Sequence, residues 1–468
     1  MKISMVKMMK NRMMMKKVMN KITKEQGSFF TKNQVLQVQV VDMSYQGYGV
    51  AKVNDFVIFI KGLLLDEVAS IRLVKVFKTY AYAIIEEMIE SSNQRVIPRC
   101  SVYDKCGGCD LMHLNYQGQQ EFKQQVIKEQ LTLAHLDNVI VYPPLSMDDP
   151  WYYRNKVATP IATTQNKQLI GFYRQNSHDI IEFDICHVQS SLQNRVIQSL
   201  RMFLSEHPID VLRHVVMRQV YNPDELMIGL VSHSKNHPMF KQCMQFLVDK
   251  HHEIKSIILN INDRNTNTIF GKKDIVLYGK DHIVDRSLGL NFKVSLRSFF
   301  QVNTPMMNVL YTQAIIAANI QKNETVLDLY CGIGTLALLA SKHAKQVYGV
   351  EINEKAIADA KENTSSNQIT NVTFNQGDVK DMLSYFAENN IECDVVMVDP
   401  PRAGLHQHVI NTIVDLAPKR LVYVSCNPTT LCRDLKVLFN KYHIEYVQPV
   451  DLFGQTHHIE SVVLLTKR

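Results

Sequence analysis

The stretch Glu324–Ala340 constrains the fold more than any other part of the sequence. It has the pattern of a buried strand, a tight turn around Gly332 and Gly334, and a helix with an apolar face. This order is typical of the first strand–turn–helix unit of a doubly wound α/β sheet. Glu351 ends the next apolar strand, where a carboxylate can bind ribose hydroxyls. The pattern predicts a Rossmann-like α/β domain that binds a nucleotide.

The glycine turn alone fits a nicotinamide nucleotide equally well, and three details narrow the choice. The pyrophosphate fingerprint is incomplete, because Ala337 stands where its third glycine would be. Asp378 ends a third strand, where methyltransferases usually hold adenine. Asp399 ends a fourth strand and opens a rigid D-P-P-R turn, close to the expected position of a methyl sulfonium. Together these details resemble S-adenosylmethionine-dependent methyltransferases, and we place this domain at residues 296–468.

Cys426 lies at the end of an apolar strand and just before a helix that Pro428 is suited to begin. Backbone N–H groups at a helix N-terminus favour a thiolate, so this setting suits a nucleophile. The alternative is a half-buried structural cysteine. Two rival thiols lie nearby in the sequence, Cys331 in the glycine turn and Cys432 on the predicted helix.

The N-terminal part alternates apolar and polar residues over short runs separated by glycine turns. About five such strands at residues 33–92 predict a small OB-like barrel, a fold that commonly binds single-stranded nucleic acid. The side chains that would supply charge and stacking are Lys52, Lys61, Arg72, Lys75, Lys78, Tyr48, Tyr80 and Tyr82. The alternative is that they form the solvated faces of the barrel. The stretch resembles the TRAM domain, an RNA-binding barrel of RNA-modifying enzymes.

Residues 1–32 are rich in Met and Lys, and we interpret them as a flexible basic arm or an over-extended start of the reading frame.

A cysteine cluster follows the barrel, in what we expect to be a mixed α+β central domain at residues 93–295. Closely spaced cysteines around a Gly-Gly pair let the backbone wrap so that several sulfurs converge on a metal. The candidate ligands are Cys100, Cys106, Cys109 and the distant Cys186, with His113 and His187 as alternatives to the last. Structural zinc usually has two paired C-x-x-C knuckles, and this chain has one. The arrangement resembles the [4Fe–4S] site of a family of RNA uracil-5-methyltransferases.

The motifs F-Q-V-N, D-L-Y-C-G-I-G, D-P-P-R-A-G and V-S-C-N-P, with the barrel and the four cysteines, resemble RNA (uracil-5-)-methyltransferases. Within them the pattern is most similar to the branch that acts on 23S ribosomal RNA, since transfer-RNA relatives generally lack the barrel and the cluster. The resemblance implies that Cys426 is the nucleophile and Glu460 the proton acceptor. It implies S-adenosylmethionine contacts at Gln301, Tyr330, Thr335, Glu351, Asp378 and Asp399, and a [4Fe–4S] cluster on Cys100, Cys106, Cys109 and Cys186. It further implies uracil contacts at Arg402 and Asn427, and RNA contacts at Arg154, Asn155 and Lys156.

Composition agrees with an enzyme of the cytoplasm. No apolar run approaches the ~20 residues that a membrane-spanning helix needs. The net charge of +7 favours an anionic partner such as RNA. Nine cysteines without a secretory signal fit a reducing compartment. We expect no membrane association and no obligate protein partner. The alternative functions are the same reaction on transfer RNA, and a non-catalytic iron–sulfur protein that binds RNA.

Overall fold

The computed structural model describes residues 30–164, 167–221, 224–264, 266–388 and 391–468. The predicted basic arm lies outside the described residues as far as residue 29. By their contacts the described residues form two compact units: residues 30–97 with 113–115, and residues 98–112 with 116–468. Of the helices in the described ranges, none has both the length and the apolar character needed to cross a membrane.

The first unit is a closed five-stranded barrel in the order β1-β2-β3-β5-β4. Its strands are β1 (Val35–Met43), β2 (Tyr48–Val53), β3 (Phe56–Lys61), β4 (Val68–Val76) and β5 (Tyr80–Glu90). Strands β3 and β5 are parallel, and the other neighbours are antiparallel. Alternate residues such as Ile58, Ile60, Ile71 and Leu73 fill the interior, as a period of two requires. The predicted barrel is therefore confirmed.

The second unit begins with a six-stranded sheet in the order β14-β13-β12-β11-β7-β8, against which two helices pack. The elements up to residue 295 are α1 (Tyr116–Leu133), β6 (Ile140–Val141), β7 (Lys156–Thr163), β8 (Gln168–Ile170), β9 (Phe172–Tyr173), β10 (Ile180–Ile181), α2 (Ser191–Glu206), β11 (Leu212–Tyr221), β12 (Asp224–Ser232), α3 (Met239–Lys250), β13 (Ile254–Ile261), β14 (Lys273–Gly279), β15 (His282–Ser287) and β16 (Leu290–Ser295). The helices that cover this sheet are α2 and α3.

Strands β9 and β10 form one two-stranded sheet, and β15 and β16 form another. The C-terminal part of the second unit contains an eight-stranded sheet in the order β19-β18-β17-β20-β21-β23-β22-β6. Its further elements are α4 (Thr304–Ala318), β17 (Thr325–Leu329), α5 (Thr335–Ser341), β18 (Gln346–Glu351), α6 (Glu354–Ser366), β19 (Val372–Gln376), α7 (Val379–Glu388), β20 (Val395–Val398), α8 (Gln407–Leu416), β21 (Arg420–Ser425), α9 (Pro428–Leu438), β22 (Tyr442–Val450) and β23 (Glu460–Lys467). Strands β17 to β21 are parallel, and β23 is antiparallel to both of its neighbours. The parallel strands therefore end at one common edge.

Helices cover both faces of this sheet, as a doubly wound fold requires. Val326 and Val422 pack in one apolar cluster with α4 and α5, whereas Leu327 and Leu421 pack in a second cluster with α8 and α9. The predicted α/β class is confirmed. Helix α1 contributes Ile127 to the second cluster, and β6 pairs with β22. Part of the chain before residue 296 thus completes the C-terminal sheet, and the domain limits at residues 33–92, 93–295 and 296–468 stay proposals.

Candidate active site

The turn that carries Cys426 is fixed by hydrogen bonds on both sides. Cys426 follows β21 directly, and Asn427 caps α9 by accepting a hydrogen bond from the Thr429 N–H at 3.1 Å. The Asn427 amide also donates to the carbonyl of Arg402 at 3.0 Å, which ties this turn to the D-P-P-R turn. Cys426 is half-buried. The strand end and helix start therefore lie where the sequence predicted them.

Glu460 lies beside Cys426 because of strand register. It is the first residue of β23, and its neighbour Ser461 pairs with Ser425, the last residue of β21. The antiparallel pairing places Glu460 opposite the turn that holds Cys426. Glu460 is 3% exposed, and its Oε2 atom has no hydrogen-bond partner among the described residues. The structure thus brings together the two residues expected to carry the chemistry.

The charges around Cys426 oppose our expectation of an activated thiolate. The pKa of the Cys426 thiol is raised to about 12, chiefly by burial and in smaller part by the charges of Glu460 and Asp399, while Arg402 acts in the opposite direction. The expectation was wrong because it considered only the helix N-terminus. Two carboxylates from other strands and loss of solvent outweigh that local effect.

A cluster of carboxyl groups surrounds this thiol at the carboxyl edge of the sheet. Burial raises the pKa of Asp399 to about 7. Burial also raises the pKa of Glu460 well above its usual value, and Asp399 adds to this effect while Arg402 opposes it. Asp328 is fully buried in β17, and burial followed by Asp399 raises its pKa strongly. Neither Asp328 oxygen meets the geometry of a hydrogen bond in the described part of the chain, although the backbone N–H of Ala337 is close enough to lower the pKa of Asp328 slightly.

Tyr311 connects two of the predicted cofactor residues and was not itself among the predicted site residues. Its hydroxyl donates to Asp399 Oδ2 at 3.4 Å and accepts from Gln301 Nε2 at 3.3 Å. Tyr311 lies within the apolar helix α4, where its sequence context gives no functional signal. Asp328 is different, because a charged residue inside an otherwise apolar strand was visible in the sequence and could have been selected.

The glycine turn has the backbone conformation that the sequence predicted. Gly334 has φ +87°, and a Cβ atom there would lie 2.5 Å from the Phe374 ring, so glycine is required on two grounds. Thr335 follows as the buried first residue of α5. The Gly332 N–H donates to Glu351 Oε2 at 3.3 Å. The carboxylate of Glu351 therefore lies against the turn.

The remaining predicted cofactor residues lie around the same edge. The pKa of Tyr330 is raised to about 12, chiefly by burial and in smaller part by the charges of Asp378, Asp434 and Glu351. Tyr330, Asp378 and Glu351 are therefore neighbours. Asp378 is exposed and accepts a hydrogen bond from the Lys380 N–H at 2.9 Å. The N–H of Gly377 donates to the carbonyl of Glu351 at 3.1 Å. The ends of β17, β18, β19 and β20 thus surround one site.

His458 is a further polar group of the site that the sequence analysis assigned no role. Its Nε2 atom lies 3.3 Å from a guanidinium nitrogen of Arg402. Burial lowers the pKa of His458 to about 4, and the charges of His457 and Arg402 contribute. His458 is therefore neutral at physiological pH, and its Nε2 can accept a hydrogen bond from Arg402. The His-His pair before Glu460 was the available signal.

The four cysteines proposed as ligands line one cavity of about 270 Å³. Burial raises the pKa of Cys109 strongly, and the charges of Cys186, Cys106 and Cys100 raise it further, so the four thiols lie within reach of one another. All nine cysteines are free thiols. His187 also lines the cavity. Within the described ranges no three His, Cys, Asp or Glu side chains are arranged to hold a single metal ion.

Two of the three expected RNA contacts of the central sheet lie where a ligand can approach. Arg154 and Lys156 are partly exposed, and burial lowers the pKa of Lys156 to about 7, with contributions from Arg218 and Arg154. Asn155 is different. It is 3% exposed and donates to the carbonyl of Gln301 and to Thr304 Oγ1, each at 2.9 Å. The expectation that Asn155 contacts RNA was therefore wrong, and its role is to hold the Gln301 segment.

The barrel carries a cluster of aromatic rings on its outer surface. Its members are Tyr48, Phe59, Phe77, Tyr80 and Tyr82, all partly exposed. Phe77 and Tyr80 stack with centroids 4.6 Å apart, and Lys75 Nζ lies 4.9 Å from the Phe77 centroid. Arg72, by contrast, is paired with Glu86 at 2.5 Å. Exposed rings beside a cation form a surface on which unpaired bases can stack.

Comparison with known proteins agrees with this arrangement. Residues 115–468 match the family model described as tRNA (Uracil-5-)-methyltransferase, and residues 30–85 match the TRAM domain. An uncharacterized RNA methyltransferase of Staphylococcus aureus (strain MRSA252) is 41% identical over 92% of this chain and 98% of its own length. Another from Bacillus cereus (strain ATCC 10987 / NRS 248) is 40% identical over 93% of this chain and 97% of its own.

A solved structure matches with a TM-score of 0.73 and 26% identity, covering 92% of this chain and 99% of that one. It is the tRNA (uracil-54, C5)-methyltransferase of Pyrococcus abyssi in complex with S-adenosyl-L-homocysteine. The expected barrel type and enzyme family are both confirmed. This chain belongs to the tRNA (uracil-5-)-methyltransferase family and carries an N-terminal TRAM domain.

Proposed function

We propose that the protein transfers a methyl group from S-adenosylmethionine to C5 of a uridine in 23S ribosomal RNA, through a covalent bond between Cys426 and C6. The observation that carries this proposal is the register that places Glu460 opposite Cys426 at the edge where the parallel strands end. A thiol and a carboxyl group at one site are what this chemistry requires, because C5 of uracil is a poor nucleophile.

The steps follow from the chemistry of the ring. The half-buried Cys426 thiol gives its proton to solvent water as the sulfur bonds to C6. The electron pair of the C5–C6 bond then moves toward C5 and the O4 oxygen, and the cysteine regains a proton from solvent after its release. S-adenosylmethionine supplies the methyl group as an electrophile on a positively charged sulfur. Glu460 then takes the C5 proton, and the Cys426–C6 bond breaks by β-elimination to restore the double bond. Arg402 is the cation placed to offset the charge that develops on the ring.

The residues of the site fit a cationic adenosine cofactor. Asp328 and Asp399 are carboxyl groups whose pKa values are raised by burial, so a positive ligand would offset the cost of their ionisation. We propose that Glu351 holds the ribose and Asp378 the adenine, with Gln301, Tyr330, Thr335 and Asp399 completing the site. Calorimetric titration with S-adenosylhomocysteine of the wild-type protein and of Glu351→Ala tests this assignment, because Glu351→Ala should weaken binding.

We propose that the cysteine cavity holds a [4Fe–4S] cluster, which a thiolate from each of Cys100, Cys106, Cys109 and Cys186 would bind. The observation that supports this is that all four thiols line one cavity. A tetrahedral zinc site would need four donors about 2.3 Å from one point. Anaerobic purification with iron and sulfide analysis tests the assignment, and a colourless protein with stoichiometric zinc would contradict it.

The choice of ribosomal RNA rests on the four cysteines and the barrel together. The barrel alone does not separate the two RNA classes, because the match to the Pyrococcus abyssi tRNA enzyme extends over 92% of this chain. That match favours transfer RNA as the second candidate substrate. The aromatic cluster of the barrel and the partly buried Lys156 and Arg154 would contact either RNA.

Mapping of 5-methyluridine in the ribosomal and transfer RNA of a deletion strain decides between the two. Loss of a modified uridine in 23S ribosomal RNA, restored by the purified enzyme in vitro, is the expected result. Loss of 5-methyluridine in transfer RNA alone would show that the substrate is transfer RNA, with the reaction itself unchanged. No loss in either RNA, and no methyl transfer in vitro, would support a non-catalytic RNA-binding protein.

A further inference from the structure

The loop that precedes Glu460, residues 451–459, is held by hydrogen bonds along its backbone. Its Leu452 carbonyl accepts from Asn303 Nδ2 at 3.0 Å, and its Gly454 carbonyl accepts from the Tyr153 hydroxyl at 2.9 Å. The Gln455 carbonyl accepts from two consecutive N–H groups, those of residues 110 and 111, at 3.0 Å each. A loop fixed at so many peptides has little freedom, so the residues that follow it are fixed as well.

The start of this loop is anchored by a fully buried ion pair with helix α1. Lys123 Nζ lies 2.7 Å from Asp451 Oδ1, and neither side chain is exposed to solvent. Lys123 also donates to the Phe453 carbonyl at 3.2 Å. Gln120 and Tyr116 donate to the second Asp451 oxygen at 2.8 Å and 2.9 Å. Four polar side chains, three of them from α1, therefore meet at the point where the loop begins.

The middle of the loop is anchored by a pair of amides. Gln119 Nε2 donates to the side-chain oxygen of Gln455 at 3.1 Å and to the carbonyl of Leu111 at 3.1 Å. The Gln119 side-chain oxygen accepts the Gln455 N–H at 2.9 Å. Gln455 has φ 71°, in the left-handed region that non-glycine residues seldom adopt, and this contact holds it there. Gln119 is 1% exposed and Gln455 is 2% exposed.

Stability alone does not account for such a cluster. A buried ion pair can often be replaced by apolar residues at little or no cost in stability, whereas its geometry is specific. Catalysis, in contrast, depends steeply on position, because a displacement of about 1 Å can lower a rate about 100-fold. The loop ends in two groups that need accurate placement. They are His458, which contacts Arg402, and Glu460, which faces Cys426.

We propose that Gln119, Lys123 and Asp451 are positioning residues that hold loop 451–459 so that Glu460 can take the C5 proton. This inference rests on the proposed function. Its consequence is selective: loss of the contacts should slow the elimination step, which needs Glu460. Attack by Cys426 on C6 should be unaffected, because Cys426 is held by other elements, β21 and α9.

The test compares two substitutions on the same helix. Gln119→Leu removes the contacts with Gln455, whereas Gln124→Leu removes a similar amide that donates to the Val141 carbonyl at 3.1 Å, away from the loop. Each variant is given one RNA transcript with uridine and one with 5-fluorouridine at the target. Fluorine cannot leave as a cation, so the second transcript stops the reaction at the covalent adduct without need of the base. The readouts are steady-state turnover and the amount of adduct on a denaturing gel.

We expect Gln119→Leu to lower kcat on the uridine transcript by about 10- to 100-fold, with unchanged KM for RNA and unchanged adduct formation on the fluorouridine transcript. Gln124→Leu should match the wild type in all three. Normal turnover of Gln119→Leu would overturn the proposal, as would an equal loss of turnover and adduct formation. Tyr153→Phe, which removes only the hydroxyl bound to Gly454, should show the same selective loss and decides the matter if Gln119→Leu does not fold. If the wild-type protein forms no adduct, the proposed function itself fails.

Discussion

Asp451 and Glu460 are two buried carboxyl groups nine positions apart in the sequence, and they differ in their hydrogen-bond partners. Asp451 is fully buried, and each of its oxygens has a partner: Lys123 on one side, Gln120 and Tyr116 on the other. Glu460 is 3% exposed, and its Oε2 has no partner among the described residues. Buried polar groups are normally paired, so an unpaired one indicates chemistry or a ligand. We propose that the paired carboxylate holds the loop and that the unpaired one acts as the base at its end.

The same contrast extends to the rest of the site. Burial raises the pKa values of Asp328, Asp399 and Glu460, and the charge of Asp399 raises those of Asp328 and Glu460 further. Like charges placed together disfavour ionisation, which is costly unless a cation binds. The site therefore stores unfavourable electrostatic energy that a positive cofactor would relieve. Asp451 differs because Lys123, a side chain of the same protein, supplies its cation.

The largest expected effect is that of removing the thiol on which these carboxylates act. Cys426→Ala should lower methyl transfer by about 10⁴-fold or more, because the proposed mechanism depends on the addition of this sulfur to C6. Binding of S-adenosylhomocysteine, measured by calorimetry, should be unchanged. Cys432→Ala is the matched control, since Cys432 is 2% exposed and packs in an apolar cluster. Substantial turnover by Cys426→Ala would exclude the thiol from the mechanism.

Replacing Glu460, the unpaired carboxyl group, should lower turnover without lowering thermal stability. Glu460→Gln should lower turnover by about 10²- to 10⁴-fold, the usual contribution of a general base. The covalent protein–RNA adduct should accumulate on a denaturing gel. Because an amide replaces a buried acid, thermal stability should not fall. Glu445→Gln, on the exposed side of β22, should retain normal turnover. Free RNA with normal product formation in Glu460→Gln would contradict the base role.

The sequence predicted the parts of the site that depend on neighbouring residues. The glycine turn, the strand ending at Asp399 and the turn at Cys426 each follow from a short motif. It did not predict the raised pKa of Cys426, because the fold buries the thiol and brings Glu460 and Asp399 to it from other strands. Nor did it predict the Lys123–Asp451 pair, whose members are 328 residues apart. Contacts of that kind leave no local pattern, and a lysine on a helix is usually interpreted as exposed.

Removing Lys123 from the buried ion pair tests whether this lysine stabilises the ionised Asp451. Lys123→Met leaves Asp451 buried without its cation, so we expect a loss of about 3–5 kcal/mol in the free energy of unfolding. The double variant Lys123→Met/Asp451→Leu should recover most of that loss, since no charge stays buried. Urea unfolding followed by circular dichroism measures both. Lys128→Met, at an exposed position of α1, is the control. A negligible effect of Lys123→Met would show that the pair does not stabilise the ionised Asp451.

The smallest expected effect is a dependence of stability on pH that arises from Asp399. Its pKa is raised from 3.8 to about 7 in the folded protein, so the folded state binds this proton more tightly than the unfolded chain does. Stability from this group is therefore full below pH 4 and falls as pH rises to about 7. Asp399→Asn removes the dependence and should raise the melting temperature of the ligand-free protein more at pH 8 than at pH 5.

Asp394 serves as a control for this measurement, because its pKa is shifted in the opposite direction from that of Asp399. Lys419 Nζ lies 2.8 Å from Asp394 Oδ1. Partial burial alone would raise the pKa of Asp394, but the hydrogen bond and the charge of Lys419 lower it. Asp394→Asn should therefore reduce the melting temperature at pH 8 and have less effect at low pH. If Asp399→Asn behaved in the same way as Asp394→Asn, Asp399 would be a stabilised, ionised carboxylate. The contrast between paired and unpaired acids would then not extend to Asp399, and the case for a cation bound beside it would lose its electrostatic basis.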